Sequence, residues 1–445
     1  MANNFPSHDL DFPITELKEG DRMTFVNIVD THGHGRRNEY RQDGITPAAS
    51  VEEARMGGTD TVFLMPNTSP RIIWPDSVSQ YIAEINTINL GKQYVHVNIN
   101  DDQKNHEEIE ASLQHQNVVG IKIYPDKVTT NFDAGSNENE VSKLTPKPWS
   151  TLRIAAELCE KYNKTLTIHS ETPLRVGESD GALDFVVANV LPLAEAFPNV
   201  DIVVAHENLI TSAESIIRHN KKALDKWNKA NVWMEIGAKY MLLNRENHLY
   251  HPDTPYGNPL YKCQPRLRAI HNNLSLASLI ARVDEPGVNI VFGNDHAPHP
   301  LYKKLGFWSK SDMEDYFLSN FGTTNFADII EQGWWKDMKD LFTPQTFEKA
   351  AGGIADYRHT VEASLTAALQ LSEDAKRYPE LTITYGNLQK FLSGNAMQLY
   401  SALQGQGNGT VASFERGQYR PIEDFYNGGV YNIWKHQDLQ FKKTP

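Results

Sequence analysis

Apolar residues in this chain gather in short runs that end abruptly in polar or ionisable ones. FVNIVDTHGH, TVFLMPN, YVHVNIN, VVGIKIYP, LTIHSE, DIVVAHEN, VWMEIGA and NIVFGNDHAPH are eight such runs. Continuous apolar stretches of this length predict strands buried on both faces, as in a parallel sheet. Most are separated by segments of helical period such as WSTLRIAAELCEKYN. Eight strand–helix alternations predict an α/β fold, a (β/α)8 TIM barrel. In that fold the loops after the strands form the mouth, so polar residues at strand ends converge on one place.

The 445 residues fit one barrel domain over 24–445, preceded by an N-terminal extension over 1–23. Residues 404–430 read as a turn-rich tail with short strands, and no internal repeat or low-complexity tract interrupts the pattern. Residues 301–349 stand apart. They carry Trp308, Trp334 and Trp335 among many phenylalanines, which predicts a packed excursion from the barrel. The net charge of −13, without a basic stripe, argues against a nucleic-acid surface and for a small-molecule substrate. Cys159 and Cys263 are the two cysteines, too few for a disulfide framework or a thiolate zinc site. The N-terminus lacks a basic segment followed by an apolar core, and no run approaches membrane-spanning length, so a soluble cytoplasmic protein with no membrane partner is expected.

Candidate chemistry begins at Asp30-Thr31-His32-Gly33-His34. In an extended strand His32 and His34 point the same way, and glycine clears the space beside them, which is a chelate geometry. Four other strand ends each offer one ligand-type residue: Lys122, His169, His206 and Asp295. Taken singly, a strand-end histidine is more often a hydrogen-bonded core residue, a buried lysine an ion-paired one, and the aspartate a turn cap. Jointly the odds reverse, because all six converge on one barrel mouth. Imidazole and carboxylate donors without thiolates suit Zn²⁺ or a similar divalent ion. A lysine buried among cations loses its proton more readily, and the neutral amine can take up CO2 to become a bridging carbamate. Two metals about 3.5–4 Å apart could then share a water and activate it towards a carbonyl. Asp295 would take the proton and pass it to the leaving nitrogen.

The order HxH, K, H, H, D on successive strands resembles the amidohydrolase superfamily with a binuclear centre. The local words HGHGR, LMPNTSP, GIKIYP, VTTNFDAG, IHSE, VAHENL and GNDHAPH resemble dihydroorotases of the short, single-domain type, over roughly residues 25–435. The resemblance implies reversible cyclisation of N-carbamoyl-L-aspartate to L-dihydroorotate, a step of pyrimidine biosynthesis. It implies that His32, His34 and Asp295 hold one metal and His169 and His206 the other, with carboxylated Lys122 between them. It places the substrate carboxylate on Arg36, Asn67 and His299, and hydroxyl contacts from a closing loop on Thr129 and Thr130. Backbone contacts to the ring fall to Ala351 and Gly352, and a homodimer is the family expectation.

The chain also departs from that pattern. Gln264 stands in YKCQPRLR where an apolar residue is usual, VAHENL lacks the usual threonine, and the 301–349 insertion separates strand 8 from AAGGIADYRHTVEASL. These departures leave open a hydrolase of another cyclic amide or imide, or an inactive scaffold. All six ligand residues are present, which disfavours the scaffold.

Overall fold

A computed structural model describes residues 10–38, 40–86, 92–99, 106–124, 147–171, 181–249, 257–263, 265–331, 343–352, 358–374, 378–404, 410–421, 430, 433–434 and 437–445. Eleven strands are described: β1 (Arg22–Val26), β2 (Val29–Gly33), β3 (Thr61–Leu64), β4 (Lys92–Asn98), β5 (Val118–Ile123), β6 (Thr165–His169), β7 (Ile202–Ala205), β8 (Val232–Ile236), β9 (Ile290–Phe292), β10 (Val411–Tyr419) and β11 (Leu439–Lys443). β2 to β9 form one parallel sheet in sequence order, each strand beside the next. The first and last strands then meet: Gly33 bridges His296, the Asp295 amide donates to the His32 carbonyl at 2.9 Å, and the His34 amide to the His296 carbonyl at 2.9 Å. The result is the predicted α/β barrel.

Each of the eight apolar runs contains one barrel strand. The first run differs from its single-strand reading. Asn27 adopts a left-handed φ of 55° and breaks it, so that Arg22–Val26 leaves the barrel and pairs antiparallel with β10, which pairs in turn with β11. Residues at the end of the N-terminal extension and two segments of the C-terminal part thus share a three-stranded sheet.

Helices cover the barrel with the faces their sequences predict. On Ile210–Trp227 the buried residues Ala213, Ile216, Ile217, Asn220 and Ala223 recur at helical spacing, and Asn228 ends the helix in the left-handed conformation. On Lys147–Tyr162, Leu152, Ala155, Ala156 and Cys159 are buried. The barrel floor is filled by Val29, Phe63, Tyr94, Val119, Val203, Trp233 and Val291, and Tyr400 and Leu403 close it from below. Tyr400 packs edge-on against Phe63 with ring centroids 4.5 Å apart. With the floor filled, chemistry is confined to the opposite end.

The excursion after β9 is packed, although not by the tryptophan its composition suggested. Phe317 is fully buried and stacks on Phe326 at 5.6 Å, while Trp308 is 77% exposed. Trp334 and Trp335 lie outside the described residues. Among the described residues no helix is long and apolar enough to cross a membrane.

Candidate metal centre

The strand ends bring the predicted donors together. His32, His34 and Asp295 are buried, with one ligand atom of each inside a 4.8 Å group. The His34 Nε2 lies 3.0 Å and the His32 Nε2 3.5 Å from Asp295 Oδ1. The His206 ring is 5.3 Å from that of His32 and 4.3 Å from that of His169, centroid to centroid. His206 and Asp295 follow β7 and β9 with φ of 41° and 50°. Non-glycine residues take that conformation at a cost of order 1–3 kcal/mol each, and it recurs where a site demands it. Here it turns two donors towards one cluster.

Protonation also suits a cation. Burial lowers His34 to about 3, with Asp295 opposing the shift, and holds His206 well below its ordinary range. Burial lowers His169 too, against the pull of Glu171. Neutral imidazole is the form that binds metal. Burial alone would raise the Asp295 carboxyl, but the Lys239 ammonium and His32 outweigh it and keep the group well below the carboxylate range. Lys122 is fully buried and burial pushes it down to about 8, against the attraction of Glu235 and Asp295. Its Nζ sits 5.2 Å from the Tyr124 ring centroid. Lys122 Nζ, His32 Nε2 and His206 Nδ1 are buried atoms without a hydrogen-bond partner among the described residues. Buried polar atoms are rarely left so. Three of them beside a His-His-Asp group fit the donor set of a bound cation.

Next to this cluster lies a buried cation. Arg36 is 1% exposed, its Nη2 donates to His299 Nε2 at 3.0 Å, and its Nε has no hydrogen-bond partner among the described residues. Among the described residues no carboxylate pairs with it. The surface ion pair that an isolated arginine usually forms is therefore not what Arg36 makes. Because His299 Nε2 accepts from Arg36, its Nδ1–H is left to donate to the Tyr40 hydroxyl at 3.0 Å. Burial first, then Arg36, keeps His299 well below its ordinary range. Asn67 is also buried, with its Oδ1 2.7 Å from His34 Nδ1. It fixes the His34 ring with Nε2 towards Asp295. Ala351 donates its amide to the Lys303 carbonyl at 2.9 Å and accepts from Lys304 Nζ at 3.1 Å. Gln264, Thr129 and Thr130 lie outside the described residues.

Four functional neighbours escaped the sequence reading. Glu235 is fully buried on β8, 2.6 Å from His32 Nδ1. Lys239, on the short helix Ala238–Leu242, places its Nζ on Asp295 Oδ2. Asp30 Oδ1 accepts the amides of His32 and Asn294, each at 3.0 Å, and burial raises its carboxyl to about 8. Tyr40 holds His299. The signal available for Glu235 was a carboxylate inside the apolar run VWMEIGA. Lys239 left none, since only folding brings it to Asp295.

No family model matches the chain. It is similar to the dihydroorotase of Saccharomyces cerevisiae (strain ATCC 204508 / S288c), 26% identical over 317 residues that cover 68% of this chain and 78% of that one. The crystal structure of dihydroorotase in complex with 5-fluoroorotic acid from Saccharomyces cerevisiae shares the fold, with a TM-score of 0.65 at 18% identity over 95% of this chain and 98% of that one. Dihydropyrimidinase from Brevibacillus agri NCHU1002 shares it with a TM-score of 0.64 at 13% identity, over 94% and 82% of the two chains.

Proposed function

We propose, from the premise that this chain belongs to the dihydroorotases of the amidohydrolase superfamily, that it interconverts N-carbamoyl-L-aspartate and L-dihydroorotate in pyrimidine biosynthesis. The observation that carries the substrate is Arg36, a buried guanidinium beside a His-His-Asp group and, among the described residues, without a carboxylate partner. A desolvated cation of this kind is costly unless an anion joins it. A ring bearing a carboxylate supplies that anion, and a neutral cyclic amide does not.

His32, His34 and Asp295 would hold one divalent ion, zinc by donor type, and His169 and His206 a second, with Lys122 between. When bound, the pair would supply a water acidic enough to give hydroxide near neutral pH and would polarise the carbonyl under attack. The protein does the rest. The Lys122 amine, lowered to about 8 by burial, would add CO2 with release of a proton, and its carbamate would offer the centre a further carboxylate-type donor. Arg36, Asn67 and His299 grip the substrate carboxylate, Arg36 with charge-assisted donors. Asp295, kept ionised by Lys239, accepts the proton of the attacking water and returns it to the ring nitrogen as the C–N bond breaks. Asn67 holds the His34 ring. Thr129, Thr130, Ala351 and Gly352 are assigned to the ring and its covering loop, and Gln264 to the wall where substrate choice is set. The enzyme is assigned to the cytoplasm as a homodimer.

The test is purified, metal-loaded enzyme offered L-dihydroorotate beside dihydrouracil and hydantoin. Dihydroorotate should be preferred by orders of magnitude. A preference for the uncharged rings would replace this reading with a hydrolase of neutral cyclic amides.

A further inference from the structure

One side chain that ties several elements of the centre together has been assigned no metal or substrate. Glu235 lies at the inner face of β8, 0% exposed, in a barrel layer where a carboxylate must be compensated. Its Oε1 is 2.6 Å from His32 Nδ1 and also accepts the backbone N–H of His206 at 2.9 Å. Its Oε2 accepts the Thr31 hydroxyl at 3.4 Å, and its own carbonyl accepts the Glu207 amide at 2.7 Å. One residue thus binds β2 at Thr31 and His32 and the turn after β7 at His206 and Glu207. At that turn His206 adopts its left-handed φ of 41°.

Room for this residue is built in just after the neighbouring strand β9. A Cβ on Gly293 would fall 2.2 Å from Glu235 Cγ and 2.4 Å from Cδ, so any larger residue there would collide with the carboxylate arm. The glycine of FGNDHAPH, two residues before the donor Asp295, therefore serves Glu235 on the neighbouring strand β8.

We infer that Glu235 is the positioning residue of the metal centre, orienting a ligand of each cation subsite through one carboxylate oxygen. The inference rests on the assignment of His32 and His206 as ligands. A carboxylate acceptor at Nδ1 obliges His32 to carry its proton there, so the Nε2 lone pair faces the cluster, where that atom lies 3.5 Å from Asp295 Oδ1 without a hydrogen-bond partner among the described residues. The same oxygen anchors the His206 amide, and with it the turn that aims the second ring. A carboxylate at the far side of an imidazole also makes the ring a stronger donor, and loss of such a partner typically weakens metal binding by about 10–100-fold.

The experiment measures Zn²⁺ uptake by metal-free protein against a competing chelator, and the Co²⁺ absorption spectrum, for wild type, Glu235→Gln, Glu235→Asp and Gly293→Ala. Circular dichroism and urea unfolding report the folded fraction. Glu235→Gln keeps the shape and removes the charge, and is expected to bind Zn²⁺ about 10–100-fold more weakly per folded chain, with an altered Co²⁺ spectrum. Glu235→Asp should recover part of the affinity. Gly293→Ala should reproduce the defect while leaving Glu235 itself unchanged, which keeps the test open if Glu235→Gln does not fold. A wild type that takes up two ions and a folded Gln variant that holds both as tightly would overturn the role of Glu235 alone. A wild type that takes up none would overturn the metal centre, and this inference with it.

Discussion

Arg36 shows what one side chain can decide. Its guanidinium is buried beside His299, and its Nε has no partner among the described residues, so a bound carboxylate gains a charge-assisted partner of roughly 2–5 kcal/mol. Arg36→Met should raise KM for dihydroorotate in proportion and leave the slow turnover of dihydrouracil nearly untouched. Equal losses on both compounds would make Arg36 a packing residue. Asp295→Asn belongs to the other half of the reaction. It removes the proton carrier and keeps the clamp, so kcat should fall by orders of magnitude while KM changes little; a variant with normal kcat and raised KM would move Asp295 into binding. Asp295 was legible because it ends an apolar run, where a barrel exposes side chains to its mouth, whereas Arg36 was readable only through the resemblance carried by HGHGR. Glu235 and Lys239 were not. An acid inside an apolar run does not reveal which partner it meets across the barrel, and Lys239 reaches Asp295 over 56 positions.

Between residues and the whole stand the segments that frame the mouth, and here a buried lysine acts as a staple. Lys304, 4% exposed in the helix Leu301–Lys304, donates to the Lys262 carbonyl at 3.0 Å and the Ala351 carbonyl at 3.1 Å. It joins the two segments assigned to the substrate ring. Burial lowers it to about 7 from an ordinary 10.5. A neutral amine still has two N–H donors for those two carbonyls. The folded state therefore binds fewer protons than the unfolded state between these two values, so this residue's contribution to stability is lost as pH falls towards 7 and restored as pH rises towards 10.5. Wild type should gain up to about 1.4 kcal/mol per pH unit relative to Lys304→Met in that window. Urea unfolding at two pH values inside the window measures it, and parallel slopes for the two proteins would refute the assignment. At this scale the eight barrel strands were readable because burial on both faces makes them continuously apolar. The break at Asn27 was not, because the run over 25–29 supplies apolar residues to both sides of it, Phe25 and Val26 to the strand beside β10 and Val29 to the barrel.

The whole molecule joins its ends away from the chemistry. β1 precedes the histidine strand β2 by two residues and is held by β10, which is held by β11 near the C-terminus. Pairings across hundreds of positions leave no local trace, which is why the tail could be read only as short strands. β11 buries Leu439 and Phe441, 1% and 0% exposed, and lies against the helix Thr360–Asp374, where the Gln440 amide donates to the Thr366 hydroxyl at 2.9 Å. Phe441 opposes Arg416 of β10, whose guanidinium donates to the Leu17 carbonyl. Removing this ring empties a closed space on the far side of β1 from the donors. Phe441→Ala should therefore cost about 3–5 kcal/mol, read as a lower denaturation midpoint at unchanged m-value. The surviving folded enzyme should keep wild-type metal content, KM and kcat, since the donors hang from the opposite ends of β2 and β5 to β9. If metal content fell before stability did, the three-stranded sheet would be acting on β2 through Asn27, and the separation of scaffold from site would have to be abandoned.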